Sequence, residues 1–310
     1  MPKFSIVIPT YNRKDLLKER ALKSLLNQTY KDFEVIVIND GGEDVSDVIE
    51  EYKDKGLDIK YISYRENKGA SYARNRGIEI AQGEWIGFLD HDDEYLNNTL
   101  EIFNSSLFNK EDKIKCAMGQ AIKKVYNQEK ILPPYKNPEK INKEKVLQWI
   151  AKWWITPGNW IIKRKSLIQI QGFDEKIYIG EDIELGLKIL FNINFNEEFI
   201  FIPNPVYIHY LRNVFDSNLR VERGINDYFY IIEKHKEKLK ENNLLNYFYY
   251  RLGTFYQGAG NKKEAIRCFI LSFPSLSLYS LLRILLTILP VNLVLKFEEL
   301  LLKLKIKFLR

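Results

Sequence analysis

The chain is poor in the residues that staple small folds or hold metals through soft ligands. Its 310 residues include two cysteines, Cys116 and Cys268, and three histidines, His91, His209 and His235. Two thiols so far apart in sequence exclude a disulfide framework and a cysteine-based zinc site, and they read as ordinary buried thiols. Three scattered histidines argue against a histidine-rich metal centre. The opening "MPKFSIVIPTYN" carries a short apolar run without the anatomy of a signal peptide, so a cytoplasmic location is expected. No G-x-G-x-x-G follows that run. Pro9-Thr10-Tyr11 leaves no room for a pyrophosphate at the first turn, which disfavours a Rossmann-type dehydrogenase. Excess charge is also small. The formal net charge of +6 suits an anionic ligand or an acidic membrane face and gives no reason to invoke nucleic acid.

What is present is a foldable chain of ordinary polarity, long enough for one large domain with an appendage, or for two domains. "FSIVIP" and "FEVIVI" are short, continuous, β-branched runs of the kind that form strands buried on both faces. "IKYIS" and "EWIGFL" follow in the same style. Between them lie amphipathic stretches, the first placing Leu16, Leu17, Ala21 and Leu25 on one face. Strand and helix alternating at this spacing predict βαβ units and a mainly parallel sheet covered on both faces. Ligands of such sheets bind beyond the carboxyl ends of the strands. Three of those ends are chemically loaded: Pro9-Thr10-Tyr11, Asn39-Asp40, and Asp90-His91-Asp92-Asp93.

Each loaded end has a bland reading beside the functional one. Carboxylates at Asp90, Asp92 and Asp93 suit Mg²⁺ or Mn²⁺ shared with substrate phosphates, but an acidic turn capping the next helix would look similar. His91 should point away from its neighbours if the segment stays extended, and is then a bystander. Asp40 fits a contact to a nucleobase or ribose, or an Asx-turn before Gly41-Gly42. Tyr11 fits a stacked base, or packing on the first helix. Arg74, near a helix start, fits phosphate oxygens or a solvated face. Glu181 and Asp182 sit where a helix begins, a position that favours a capping anion and equally a general base. Trp149, Trp153, Trp154 and Trp160 are core residues one by one, although such a cluster suggests that at least one, such as Trp154 or Trp160, lines a pocket. His209 and Arg212 follow an apolar strand and would reach a phosphate or a metal, or simply form a turn.

Taken in order, the segments "FSIVIPTYNR", "FEVIVINDGGED", "NKGASYARNRGI", "GEWIGFLDHDDEYL" and "GEDIEL" resemble glycosyltransferase family 2, the inverting enzymes of GT-A fold. The resemblance covers roughly residues 2–217. It departs from the family pattern at Asn39 and Gly42, which replace an acidic residue and a Ser, and Gln171 stands in the usual Gly-Gly-Phe. It implies a GT-A domain over residues 1–217 and an α-helical extension over 218–310. It implies that Pro9, Thr10, Tyr11, Asp40, Arg74 and Asp90 hold the nucleotide. Asp92, supported by Asp93, would bind Mn²⁺ or Mg²⁺, and Asp182 would be the general base. The implied reaction moves a sugar from a nucleoside diphosphate, UDP being expected, to a hydroxyl on a glycan or lipid-linked acceptor.

The C-terminal part has its own character. "LGTFYQGAGNKKEAIRCFILSFP" looks like one tetratricopeptide-type helical hairpin. The Leu-rich, basic tail is broken by Arg283 and Pro290, so it reads as an interfacial amphipathic segment in peripheral contact with the cytoplasmic membrane face rather than a span. A non-catalytic interaction module built on these helices is the competing reading, and it requires the acidic elements to be inert.

Overall fold

The computed structural model describes residues 1–288 apart from 111, 126–127, 135–136, 138–140, 154–156, 211–217 and 274–276. The chain divides into two compact units, Met1–Asn213 and Val214–Arg310.

The first unit is built on nine described strands in one sheet, ordered β3-β2-β1-β4-β8-β6-β9-β5, with β7 (Gln128–Leu132) paired to β6. β1 (Phe4–Thr10) and β2 (Phe33–Asp40) are buried along their whole length, as unbroken β-branched runs require. They pair in parallel from Phe4 opposite Phe33 to Thr10 opposite Asn39. β3 (Ile59–Tyr64) and β4 (Trp85–Phe88) flank them in parallel. Beyond β4 the sheet turns mixed: β8 (Trp160–Lys163) runs antiparallel to both β4 and β6 (Cys116–Val125), and β9 (Phe199–Tyr210) parallel to β6. The expected parallel sheet is therefore its first half. The antiparallel insertion brings β9 to β5 (Glu94–Tyr95), beside the acidic turn.

Helices cover both faces. On one, the first helix (residues 14–26) buries Leu17, Ala21, Leu22 and Leu25 against Ile6, Ile8, Val35 and Val37. Its middle, Leu17–Leu22, is a π-helical turn, and Leu16 lies outside the core cluster. On the other face helix Ala70–Ile80 approaches β1 so closely that Gly77 lies against the Val7 side chain.

Trp149 and Trp160 are core residues, 4% exposed, packed against Phe201 and Phe199. Trp160, named above as a candidate pocket residue, has its ring packed against Phe199 of β9, across β6 from its own strand. Trp154 and Arg212 lie outside the described residues. Cys116 and Cys268 are buried free thiols, as their spacing suggested.

The second unit is helical: Asn218–Glu241, Leu245–Gly258, Lys262–Leu271 and Ser277–Ile288. Gly253 faces Phe269 in the hairpin, where a Cβ would come within 2.7 Å of the ring. Asn261 caps the hairpin's second helix by accepting from the Glu264 N–H at 3.2 Å. Among the described residues no helix is long and apolar enough to cross a membrane.

Candidate active site

The parallel half of the sheet delivers Thr10, Asp40 and Asp90 to one edge: β1 and β2 pair up to Thr10 opposite Asn39, and β4 ends at Phe88 opposite Val7, two residues before Asp90. Tyr11, just past β1, is 44% exposed and offers its ring to solvent at that edge, away from the packed position on the first helix. Thr10 is buried, and its hydroxyl has no partner among the described groups. Asp40 is 3% exposed. Its two oxygens accept from the Lys68 and Gly69 N–H groups at 2.9 and 2.7 Å. It thus draws the start of helix Ala70–Ile80 onto β2. The side-chain turn before Gly41-Gly42 is made by Asn39 rather than Asp40: Asn39 accepts from Gly42 N–H at 3.0 Å and donates to the Glu43 carbonyl at 2.8 Å.

The acidic segment leaves the strand before its carboxylates begin. Asp93 N–H donates to the Asp90 carbonyl at 3.0 Å, so Asp90–Asp93 is a turn and the alternation expected of an extended segment does not apply. His91 is consequently not idle: its Nδ1 lies 3.1 Å from the Pro9 carbonyl and ties the turn to the end of β1. Asp93 is 1% exposed. One of its oxygens accepts from Tyr207 Oη and lies 2.9 Å from His209 Nδ1; the other accepts from Tyr210 N–H at 2.8 Å. Both oxygens are committed to β9. As a metal ligand Asp93 is poorly placed; it secures the turn. His209 likewise serves Asp93.

Arg74 joins the turn to the last loaded element. It is 4% exposed and lies 5.2 Å above the Phe173 ring. Its guanidinium donates to Asp90 at 2.7 Å and to Glu181 at 3.1 Å. Burial alone would raise the Asp90 pKa, but the adjacent guanidinium outweighs it and holds the carboxyl below the usual range. Helix Ala70–Ile80 grips the following loop twice more. Asn75 exchanges hydrogen bonds with the Phe173 backbone at 2.8 and 3.0 Å, and Ser71 donates to the Ile177 carbonyl at 3.1 Å. Gly180, left-handed at φ 88°, then starts helix Glu181–Phe191.

Asp182 sits in the first turn of that helix and accepts from the Ile183 N–H at 2.8 Å. Burial first, then the neighbouring Glu181 charge, pushes its pKa up to about 7. A carboxylate poised near neutrality has the chemistry of a general base. Ser71, Asn75, Tyr207 and Tyr210 were not singled out by sequence reasoning. Only the position of the first two on the Arg74 helix hinted at them.

An oxygen-donor set for a hard divalent cation is present in outline. Asp90 is shared with Arg74, Asp93 bonds to β9 through both oxygens, and Asp92 stands between them in the same turn. No cluster of three or more His, Cys, Asp or Glu fit to hold a metal occurs among the described residues. That sparse set fits an ion that takes one or two carboxylates and completes its shell from substrate phosphates and water.

A family model described as "Glycosyl transferase family 2" matches residues 5–170. The GalNAc(5)-diNAcBac-PP-undecaprenol beta-1,3-glucosyltransferase of Campylobacter jejuni is 28% identical, over 96% of this chain and 97% of that protein. Two solved structures share the fold. S. aureus TarS 1-349 in complex with UDP-GlcNAc is 20% identical with a TM-score of 0.64, over 92% of this chain and 89% of that one. Mannosyltransferase PcManGT from Pyrobaculum calidifontis, in complex with GDP-Man and Mn²⁺, is 17% identical with a TM-score of 0.59, over 97% and 81%. Asp182 lies beyond the matched span, but Arg74 inside it reaches across to the residue next door. With the model running from β1 through the acidic turn to β8, the chain belongs to glycosyl transferase family 2 and is a glycosyltransferase of the GT-A fold.

Proposed function

We propose that this chain is an inverting, metal-dependent transferase that moves a sugar from a UDP-sugar to a hydroxyl of a lipid-linked glycan. The carrying observation is the Arg74 bridge, 2.7 Å to Asp90 and 3.1 Å to Glu181. It sets the acidic turn and the candidate base on either side of one buried cation. Residues 1–217 would be the catalytic domain, and residues 218–310 an appended helical one.

In this reading Tyr11 stacks on the base, with Pro9, Thr10 and Asp40 forming the wall behind it. The orphaned Thr10 hydroxyl supports a polar ligand at that wall. Arg74 keeps Asp90 ionised and directed at the nucleotide. Asp92 would hold Mn²⁺ or Mg²⁺, which neutralises the diphosphate and improves it as a leaving group. Asp182 takes the proton of the acceptor hydroxyl as that oxygen attacks the anomeric carbon opposite the diphosphate. One base suffices, because the leaving group departs without a proton. The lipid-linked acceptor is suggested by the C. jejuni relative, whose name places its substrate on undecaprenol pyrophosphate. UDP is suggested by the TarS complex. The basic, Leu-rich tail supports peripheral contact with a membrane that would carry such an acceptor.

Calorimetry tests the donor half. UDP should bind in the presence of Mn²⁺, and Asp92→Ala should lose the metal-dependent part. Metal-independent binding of equal strength in both proteins would remove the metal from the reading. A panel of UDP-sugars screened for hydrolysis would then identify the sugar.

A further inference from the structure

The first helix makes a contact that the proposed mechanism leaves unused. Arg20 donates from a guanidinium nitrogen to the Asp92 carbonyl at 2.7 Å. The same guanidinium lies over the Tyr210 ring, 3.8 Å from its centre. Tyr210 is itself fixed, since its N–H donates to Asp93 at 2.8 Å and its hydroxyl to Glu94 at 3.0 Å. Arg20 is therefore held between the peptide of Asp92 and the strand that anchors Asp93.

Arg20 is one of three polar residues spaced by four along this stretch. Ser24 accepts from the Tyr95 N–H at 3.2 Å. Gln28 donates to the Leu96 carbonyl at 2.7 Å and accepts from the Leu100 N–H at 3.1 Å. Residues four apart share a helix face. Together the three clamp the backbone from Asp92 to Leu100. The π-helical turn Leu17–Leu22 contains Arg20. Its wider turn keeps Leu17, Ala21, Leu22 and Leu25 in the core while this polar face meets the acidic turn.

We propose that Arg20 is a positioning residue for the metal-binding turn. By holding the Asp92 carbonyl against Tyr210 it fixes the peptide that carries the Asp92 carboxylate, so that the cation and the diphosphate meet a preformed ligand. The inference rests on the reading of Asp92 given above. Residues that orient a metal ligand without touching the metal typically govern 10- to 100-fold in metal affinity.

The test is UDP binding to the full-length protein, by calorimetry, across a series of Mn²⁺ concentrations, with thermal melts alongside. Arg20→Met keeps the apolar stem on the Tyr210 ring and removes the donors. It should raise the Mn²⁺ midpoint about 10- to 100-fold. Arg20→Lys keeps a donor but loses the guanidinium over the ring, and should fall between Met and the unsubstituted protein. Ser24→Ala, which releases the clamp at Tyr95, should lower the melting temperature and leave the Mn²⁺ midpoint in place. An unchanged midpoint in Arg20→Met overturns the inference. If that variant is too unstable to titrate, an unchanged midpoint in Arg20→Lys does the same. Equal shifts in the Arg20 and Ser24 variants would reduce the effect to lost stability and also overturn it. UDP binding that ignores Mn²⁺ in the unsubstituted protein would instead overturn the metal reading, and this inference with it.

Discussion

At Asp182 a single environment sets both reactivity and stability. Its pKa of about 7 comes from burial and then from Glu181. A base must be ionised, so kcat/KM should rise with pH through about 7 and level off above it. Asp182→Asn should lower transfer roughly 10²- to 10⁴-fold and keep UDP binding; full turnover would end the assignment of the base. Glu181→Gln removes a like charge, so the acid limb of the pH profile should move to lower pH. The stability sign is opposite to that of a paired carboxylate. A folded pKa raised above the unfolded value of 3.8 gives stability that is complete at low pH and lost as pH rises through about 7. In melts without ligand, Asp182→Asn should therefore gain on the unsubstituted protein from pH 5 to pH 8. At Arg74 the cost runs the other way. Arg74→Met would leave Asp90 and Glu181 without their shared cation, and chemical denaturation should register a loss of about 3–5 kcal/mol. Residue types at strand ends were legible in sequence because strand termini gather ligands in such sheets. Partnerships were not. Nothing in "DHDD" says that Asp93 spends both oxygens on β9, more than a hundred residues later, or that His91 meets the Pro9 carbonyl.

At the scale of elements, helix Ala70–Ile80 is the part that assembles the site. Asp40 holds its start, Arg74 and Asn75 reach the acidic turn and the Phe173 loop, and Gly77 lets it lie against β1. Gly77→Ala brings two opposed effects. Helix propensity favours alanine by about 1 kcal/mol. Overpacking against a fully buried Val7 costs about 1–3 kcal/mol. Val7 belongs to the central strand and cannot retreat, so a net loss of stability is expected. The double substitution Val7→Ala/Gly77→Ala should recover part of the loss; additive losses in that cycle would show that the contact is not the cause. β1, β2 and β4 were readable because continuous β-branched runs bounded by turn residues have few other uses. The π turn in the first helix was not, because the hydrophobic pattern of that stretch accommodates an ordinary helix equally well. The mixed half of the sheet was hidden too, since the antiparallel placement of β8 and the pairing of β9 with β6 rest on contacts between segments far apart in the chain.

At the scale of the whole molecule, the last described helix raises the question of what covers it. Ser277–Ile288 buries Leu286 and Thr287, and Arg283 donates to Gln257 at 3.1 Å within the helical unit. Leu281, Leu285 and Ile288 recur at helical spacing on the other side and are 49%, 51% and 60% exposed. A helix apolar on both sides needs a second apolar partner. The sequence that follows adds Lys296, Lys303, Lys305, Lys307 and Arg310 against Glu298 and Glu299. An anionic lipid surface meets both demands at once. Such a surface would take the apolar stripe into its interface and attract each nearby basic residue by roughly 1 kcal/mol. The protein should therefore co-float with vesicles containing an anionic lipid, and less with neutral ones. Raising salt should release it, because the electrostatic part is screened within a Debye length. Leu281→Asp with Leu285→Asp should weaken flotation without altering UDP binding, since neither residue belongs to the nucleotide site. A chain ended after Leu276 loses both stripe and tail. If that shortened protein floats as well as the full one, the membrane contact lies elsewhere and this reading of the C-terminal helices fails.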